Sequence, residues 1–126
     1  MSIEVISTSK APGAVGPYSQ AIKAGDFLFA SGQLGLDPAT GKLPAGVAAQ
    51  AEQSLKNVGA ILEAAGLTYD NVVKTTVYLS NMCFFGTVNA VYANYFKKNL
   101  PARSCVEIGE LPMKGDVEVE VVAYCK

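Results

Sequence analysis

The sequence predicts an α+β fold in which two helices pack on one face of a mixed sheet. Two segments carry apolar residues at helical spacing, and the other regular segments are short and rich in β-branched and aromatic residues. The resulting order is β-β-β-α-β-α-β-β, with the helices in crossovers and the remaining strands consecutive. With 50% hydrophobic and 17% charged residues, the composition indicates one globular domain over residues 1–126.

The first three strands are expected near the start of the chain. Residues 3–7 form a short strand, and residues 20–31 contain two strands separated by the turn Gly25-Asp26. In the third strand, side-chain alternation places Phe27 and Leu28 on opposite faces. One of these faces is therefore expected in the core, and the other on the far side of the sheet.

The clearest helix is predicted over residues 47–65. Its apolar residues recur at spacings of three and four: Val47, Ala51, Leu55, Val58, Leu62 and Ala65. Gln50 and Asn57 lie off this stripe, and Gly66 is suited to end the helix.

The second helix is predicted over residues 85–98, since Pro101 prevents a helix from continuing. The remaining strands are expected at residues 72–80, 103–109 and 116–124. The last of them is apolar on both faces, so a monomer would leave one apolar face uncovered. We therefore expect a homo-oligomer.

Composition excludes several classes of protein. The chain has no histidine, which rules out a Ser–His–Asp triad, a Cys–His dyad and histidine-ligated metal sites. A net charge of −1, with no basic stripe, gives no reason to expect a nucleic-acid partner. No apolar run is long enough to span a membrane, so no membrane association is expected either.

The cysteines and the first residues favour a cytoplasmic protein. Cys83, Cys105 and Cys125 are far apart and form no CxxC pair, so neither a zinc ribbon nor a thioredoxin-like motif is indicated. Residues 1–5 have neither the basic nor the apolar region of a signal peptide. An odd number of cysteines without such a signal fits a reducing compartment.

Arg103 is the single arginine beside nine lysines. It is either a surface or packing residue, or it serves a task that needs a planar, bidentate guanidinium. Alternation places Cys105 and Glu107 on its face of the strand, and places Glu118 and Glu120 together on the last strand. The two glutamates are either solvated edge residues, or one of them lies near Arg103 and leaves the guanidinium free for an anionic ligand.

Two loops carry polar residues whose role the spacing leaves open. Residues 16–21 form a rigid Gly-Pro-Tyr-Ser-Gln-Ala loop that enters a strand, and one interpretation is turn chemistry with one buried tyrosine, Tyr18. Asn89 on the second helix is either a surface residue or faces a pocket. Tyr18 and Cys105 are nucleophiles in principle, although no base that would activate them is visible.

Taken together, the motifs resemble those of the RidA family of imine deaminases, also called the YjgF family. The most specific matches are Gly16-Pro17-Tyr18-Ser19-Gln20-Ala21 and Pro101-Ala102-Arg103-Ser104-Cys105-Val106, and the similarity runs through essentially the whole chain. The resemblance implies a chorismate-mutase-like α+β protomer. It also implies a homotrimer with a central barrel and with pockets in the clefts between subunits.

The resemblance further implies hydrolysis of 2-imino acids and their enamine tautomers to 2-oxoacids and ammonia, which protects pyridoxal-phosphate enzymes. Examples are 2-aminoacrylate with 2-iminopropanoate, and 2-iminobutanoate. No cofactor or metal is implied. Arg103 would hold the substrate carboxylate, and Glu118 would orient the attacking water. Glu120 does not match the family's carboxylate position in this register. The other implied residues bind the substrate or shape the pocket: Tyr18, Ser31, Gly32, Asn89 and Cys105.

The sequence departs from the family pattern at the start of the second helix. The family usually has an acidic residue followed by Phe, whereas Cys83-Phe84-Phe85 stands here. Phe85 keeps the aromatic position and is expected in the pocket wall. The capping carboxylate is missing, a change that costs about 1 kcal/mol at a helix N-terminus.

Two other functions remain open for this fold. One is a non-catalytic small-ligand-binding or chaperone-like protein, which would bind a ligand without releasing ammonia. The other is a translation inhibitor that acts as a ribonuclease. The absence of a basic stripe and of histidine argues against the ribonuclease.

Overall fold

The computed structural model describes residues 2–126, and all of its strands belong to one mixed sheet. The strands are β1 (Ile3–Ile6), β2 (Ala21–Ala24), β3 (Phe27–Ala30), β4 (Gln33–Leu34), β5 (Val72–Leu79), β6 (Ala102–Glu107) and β7 (Val117–Tyr124). Their order in the sheet is β1-β2-β3-β7-β5-β6, and the short β4 also pairs with β7. Within residues 2–126, only β5 and β6 run parallel to each other, so the predicted mixed sheet is confirmed.

Two α-helices connect the strands, α1 (Val47–Ala64) and α2 (Phe85–Tyr92). The predicted strands and first helix agree with these bounds to within two residues, and β4 was not predicted. The prediction of a helix to residue 98 is wrong, because α2 ends at Tyr92. Beyond Tyr92 the backbone tightens into turns, in which the N–H groups of Asn94 and Tyr95 bond to carbonyls three residues earlier. This tightening brings Tyr95 against the ring of Tyr69.

The helices cover one face of the sheet, as predicted. The inner face is fully apolar along β7, where Val117, Val119 and Val121 are at most 2% exposed. Leu55 and Leu62 of the predicted stripe on α1 are buried as well. Removing such side chains from water contributes roughly 1.5–3 kcal/mol each, so this layer supplies most of the stability.

Three polar residues of α1 are buried instead of solvated. Ser54 donates to the carbonyl of Gln33 at 2.6 Å. Asn57 donates to the carbonyls of Leu34 and Leu36 at 3.0 and 2.9 Å. Gln50 accepts from the Asp116 N–H at 2.8 Å. Gln50 and Asn57 therefore lie off the apolar stripe, as expected, yet both face inward. Asn57 provides partners for carbonyls of the segment that contains β4, whereas Gln50 bonds to Asp116.

The opposite face of the sheet has no cover within the protomer. Ile3 and Val5 of β1 are 72% and 62% exposed, and Phe27, Phe29 and Tyr124 are also exposed. Strand registry aligns these side chains in adjacent rows on that face. The apolar second face inferred from the sequence is therefore present. Among residues 2–126, neither helix combines the length and apolar character that a membrane crossing needs.

Gly59 of α1 allows the close approach of Tyr69. A Cβ atom at position 59 would lie 2.8 Å from the Tyr69 Cζ atom and closer still to its hydroxyl oxygen. That hydroxyl donates to the Leu55 carbonyl at 2.6 Å, so the ring has little freedom to move away.

We predict that Gly59→Ala destabilises the fold by about 1–3 kcal/mol, because overpacking outweighs the better helix propensity of alanine. The matched control is Gly86→Ala in α2, where a Cβ meets nothing within 4 Å. This control should be neutral or stabilising by up to about 1 kcal/mol. Urea unfolding of both variants measures the difference, and equal effects would contradict the steric explanation.

Candidate active site

Five of the predicted site residues line two separate clefts of the protomer. Asn89 and Arg103 line one cleft, together with residues of α2 and of the chain before β6; we call it the arginine cleft. Tyr18, Gly32 and Glu118 line the other, a cleft of about 620 Å³ that we call the glutamate cleft.

Arg103 is held on the helix side of β6. Its Nη1 atom donates to Asn89 Oδ1 at 2.7 Å. Its Cζ atom lies 4.9 Å from the centre of the Tyr92 ring and 5.5 Å from the centre of the Phe85 ring. No carboxylate within residues 2–126 forms an ion pair with this guanidinium. The chain therefore orients the guanidinium without neutralising its charge. A guanidinium held in this way is suited to bind an external anion.

The start of α2 has capping groups despite the missing acid. No side chain caps α2 itself at Phe84, as expected. However, Asn81 accepts from the Cys83 N–H at 2.8 Å, and Glu107 of β6 accepts from the Met82 N–H at 2.6 Å. A carboxylate from a neighbouring strand therefore stabilises the turn before the helix, so the expected loss of capping is offset.

Glu118 lies against Gly32 in the glutamate cleft. A Cβ atom at position 32 would be 2.7 Å from the Glu118 carboxyl carbon, so only glycine leaves room for this carboxylate. Burial, and then the charge of Glu120, raise the pKa of Glu118. Glu120 itself accepts from the Tyr78 hydroxyl at 2.6 Å. Glu118 is therefore a partly desolvated carboxylate with a raised pKa, as suits a general base.

The Gly-Pro-Tyr-Ser-Gln loop forms one wall of the glutamate cleft. Tyr18 is 50% exposed there, so the expectation of a buried tyrosine is wrong. The buried Gln20 donates to the Pro12 carbonyl at 2.8 Å and accepts from the Thr8 N–H at 2.7 Å. Ser31 donates to the Ser19 carbonyl at 2.7 Å, which ties this loop to the end of β3.

Arg103 and Glu118 face opposite sides of the sheet. Arg103 pairs in register with Thr75 of β5, whose side chain packs with α2. Glu118 pairs in register with Tyr78, whose side chain lies on the open face. Glu120 also lies on the open face, where it binds Tyr78. The interpretation that one of these glutamates lies near Arg103 is therefore wrong within a single protomer.

Cys105 lies on the helix side of β6, two residues from Arg103. Burial raises the pKa of its thiol, and the Arg103 charge opposes that shift. The thiol form therefore predominates at neutral pH, which gives no support to a nucleophilic role. In the described part of the chain, no cluster of three or more cysteine and carboxylate side chains is arranged to hold a metal ion.

Comparisons with known proteins agree with the fold and the motifs. The family model described as endoribonuclease L-PSP matches residues 8–125. The chain belongs to this family, the YjgF/RidA family. The resemblance seen in the sequence is thereby confirmed.

Two solved structures and one curated relative illustrate the similarity. The E. coli YjgF gene product is 46% identical, with a TM-score of 0.94 over 98% of this chain and 99% of that one. E. coli TdcF with bound serine is 42% identical, with a TM-score of 0.93 over 96% and 98%. The mouse protein named 2-iminobutanoate/2-iminopropanoate deaminase is 53% identical over 95% of this chain and 90% of its own length. The α+β fold class is thus confirmed.

Sequence reasoning about this RidA-family chain missed two tyrosines. The helical pattern over residues 85–98 gives Tyr92 no role in the site, although it lies three residues after Asn89 and so shares its face. Tyr78 was treated only as a strand residue. Its contact with Glu120 spans β5 and β7, and this pairing follows from sheet registry, which no local pattern reveals.

We predict that Glu120→Gln lowers the pKa of Glu118 toward its ordinary value. The substitution removes the nearby negative charge that favours protonated Glu118, while the burial contribution remains. A carbon-13 NMR titration of the glutamate carboxyl groups, with Glu118→Gln for assignment, measures the change. Glu110→Gln is the control, because it removes an equal charge at an exposed position outside the strands. An unchanged or higher midpoint in Glu120→Gln would contradict the assigned cause.

Proposed function

We propose that the protein hydrolyses 2-imino acids and their enamine tautomers to 2-oxoacids and ammonia. The observation that carries this proposal is the oriented Arg103 guanidinium, which has no ion-pair partner in the described chain. The name of the mouse relative, 53% identical, gives the substrate class independent support.

In this reaction Arg103 binds the substrate carboxylate. Asn89 occupies one N–H of Nη1, and the remaining N–H groups are available for two parallel hydrogen bonds to a carboxylate. The Gly32 N–H adds a further donor, and Tyr18, Ser31, Asn89 and Cys105 complete the pocket, with Phe85 in its wall. Binding at the carboxylate fixes the position of the neighbouring imine carbon.

Glu118 positions the attacking water and moves its proton. A protonated imine, C=NH₂⁺, is already electrophilic, so water adds to its carbon as Glu118 accepts a proton, and a neutral carbinolamine forms. Glu118 then returns the proton to the nitrogen, the C–N bond breaks and ammonia leaves. The hydroxyl proton passes through Glu118 to the ammonia as the C=O bond forms. The raised pKa of Glu118 supports these transfers. The products are the 2-oxoacid and ammonium, with no change in oxidation state.

The opposite placement of Arg103 and Glu118 leads us to propose a composite site in a homotrimer. The uncovered apolar face of the sheet would be buried in a central barrel. The arginine cleft of one protomer would then meet the glutamate cleft of the next. We also assign the protein to the cytoplasm, and its three free thiols fit that reducing compartment.

A non-catalytic ligand-binding role is the second candidate. E. coli TdcF, a structural relative, was solved with bound serine, which favours small-molecule binding in this family. Such a protein would bind an amino acid or imino acid but release no ammonia above the spontaneous rate.

We predict that Arg103→Ala lowers kcat/KM at least about 100-fold, since two charge-assisted hydrogen bonds are lost. Arg103→Lys should lose about tenfold or more, because a point charge does not replace the planar guanidinium. The assay follows 2-aminoacrylate released by a dehydratase, corrected for spontaneous hydrolysis. Lys56→Ala, which removes an exposed positive charge on α1, is the control, and circular dichroism checks folding. Unchanged rates in Arg103→Ala would refute its role.

We predict that two inactive variants restore activity when their subunits are mixed. Arg103→Ala and Glu118→Gln chains, unfolded together and refolded at equal concentrations, should give about one quarter of wild-type activity. Each position in a composite site receives an intact group about half of the time. The variants refolded separately serve as controls. No recovery in the mixture, with subunit exchange verified by mass spectrometry, would show that each site lies within one protomer.

A further inference from the structure

Thr75 lies beside Arg103 in the sheet and connects it to the buried core. It is the direct partner of Arg103 in the parallel ladder of β5 and β6, and both side chains lie on the helix side. Thr75 is fully buried, and its hydroxyl lies 2.9 Å from the Tyr92 hydroxyl. A buried hydroxyl without a partner is costly, so this pair holds the Tyr92 side chain in one position.

The Tyr92 ring lies under the Arg103 guanidinium. Tyr92 is only 8% exposed, and its ring centre is 4.9 Å from Arg103 Cζ. Phe85, Asn89 and Tyr92 are spaced by four and three residues, so all three project from one face of α2 toward Arg103. One helix therefore supplies two aromatic rings and one amide oxygen to the same guanidinium.

These contacts fix different parts of the arginine. The Asn89 hydrogen bond holds one N–H group but leaves the guanidinium plane free to rotate about that bond. The Tyr92 ring, whose centre lies 4.9 Å from Arg103 Cζ, restricts this rotation. Burial raises the pKa of the Tyr92 phenol, so the ring is neutral and does not cancel the Arg103 charge.

We propose that Tyr92, held by Thr75, is a positioning residue that sets the plane of the Arg103 guanidinium for carboxylate binding. This inference rests on the proposed function for its kinetic consequence, while the orientation of Arg103 is testable without turnover. Thr75 is also a positioning residue, but its effect on Arg103 is indirect because it acts through Tyr92.

The test compares Thr75→Val, Tyr92→Phe and the double variant. Each single variant keeps the size of the side chain but leaves one buried hydroxyl unpaired, so each should lose stability. The double variant removes both hydroxyls and should regain most of that stability. All three variants lack the hydrogen bond that holds the Tyr92 ring, but the double variant regains its stability. The comparison therefore separates an effect on positioning from an effect on stability.

We expect all three variants to lower kcat/KM about fivefold, mainly through a higher KM for the imino acid. The double variant should keep this loss although its stability recovers. The control is Tyr69→Phe, which removes a tyrosine hydroxyl that donates to Leu55 and belongs to no contact of Arg103. Recovery of the wild-type KM in the double variant would overturn the proposal, because the hydroxyl pair would then be purely structural.

A nitrogen-15 NMR spectrum of the intact protein provides the second readout. Arg103 is the only arginine, so its Nε–H signal identifies itself without assignment. We expect faster exchange and averaged Nη signals in Thr75→Val and in the double variant, and a wild-type signal in Tyr69→Phe. An unchanged Arg103 signal in the double variant would overturn the positioning role. If wild type shows a restrained Arg103 but releases no ammonia, the proposed function fails and the positioning inference stands.

Discussion

Hydrogen bonds from the buried polar side of α1 hold the segment around β4 against the helix. This segment has only two ladder residues, so its carbonyls depend on Ser54 and Asn57 for partners. Gly35 brings the two backbones together, since a Cβ there would lie 2.7 Å from Gln50 Cα. The same segment begins next to Gly32. The helix thereby positions the backbone against which the Glu118 carboxylate rests.

The two faces of the sheet perform different physical tasks. On the helix side, an apolar layer and a few buried hydrogen bonds hold side chains in single orientations, and Arg103 benefits from that order at the edge strand. On the open side, the Glu118 and Glu120 carboxylates stand close together beside exposed apolar rows. Placing the cationic and anionic groups on different faces prevents an internal ion pair that would neutralise both.

Local patterns predicted the elements well because alternation and helical spacing are properties of neighbouring residues. The apolar stripe of α1 and the two faces of β7 were both predicted correctly. The end of α2 was missed, since Tyr95 and Phe96 continue the apolar pattern while tertiary contacts with Tyr69 draw the chain into turns. The position of Glu118 relative to Arg103 was also missed. Alternation assigns faces within one strand, but relating two strands requires their registry, which depends on distant pairing.

The separation of Arg103 and Glu118 has a consequence for how activity scales with the amount of protein. In the proposed composite site, a chain that holds Arg103 and Glu118 on opposite faces would gain a complete site only on association. Specific activity would then follow mass action and fall on dilution below the dissociation constant of the assembly. Ligands that bridge the two clefts would in turn strengthen the assembly, so substrate itself would protect the protein from dissociation.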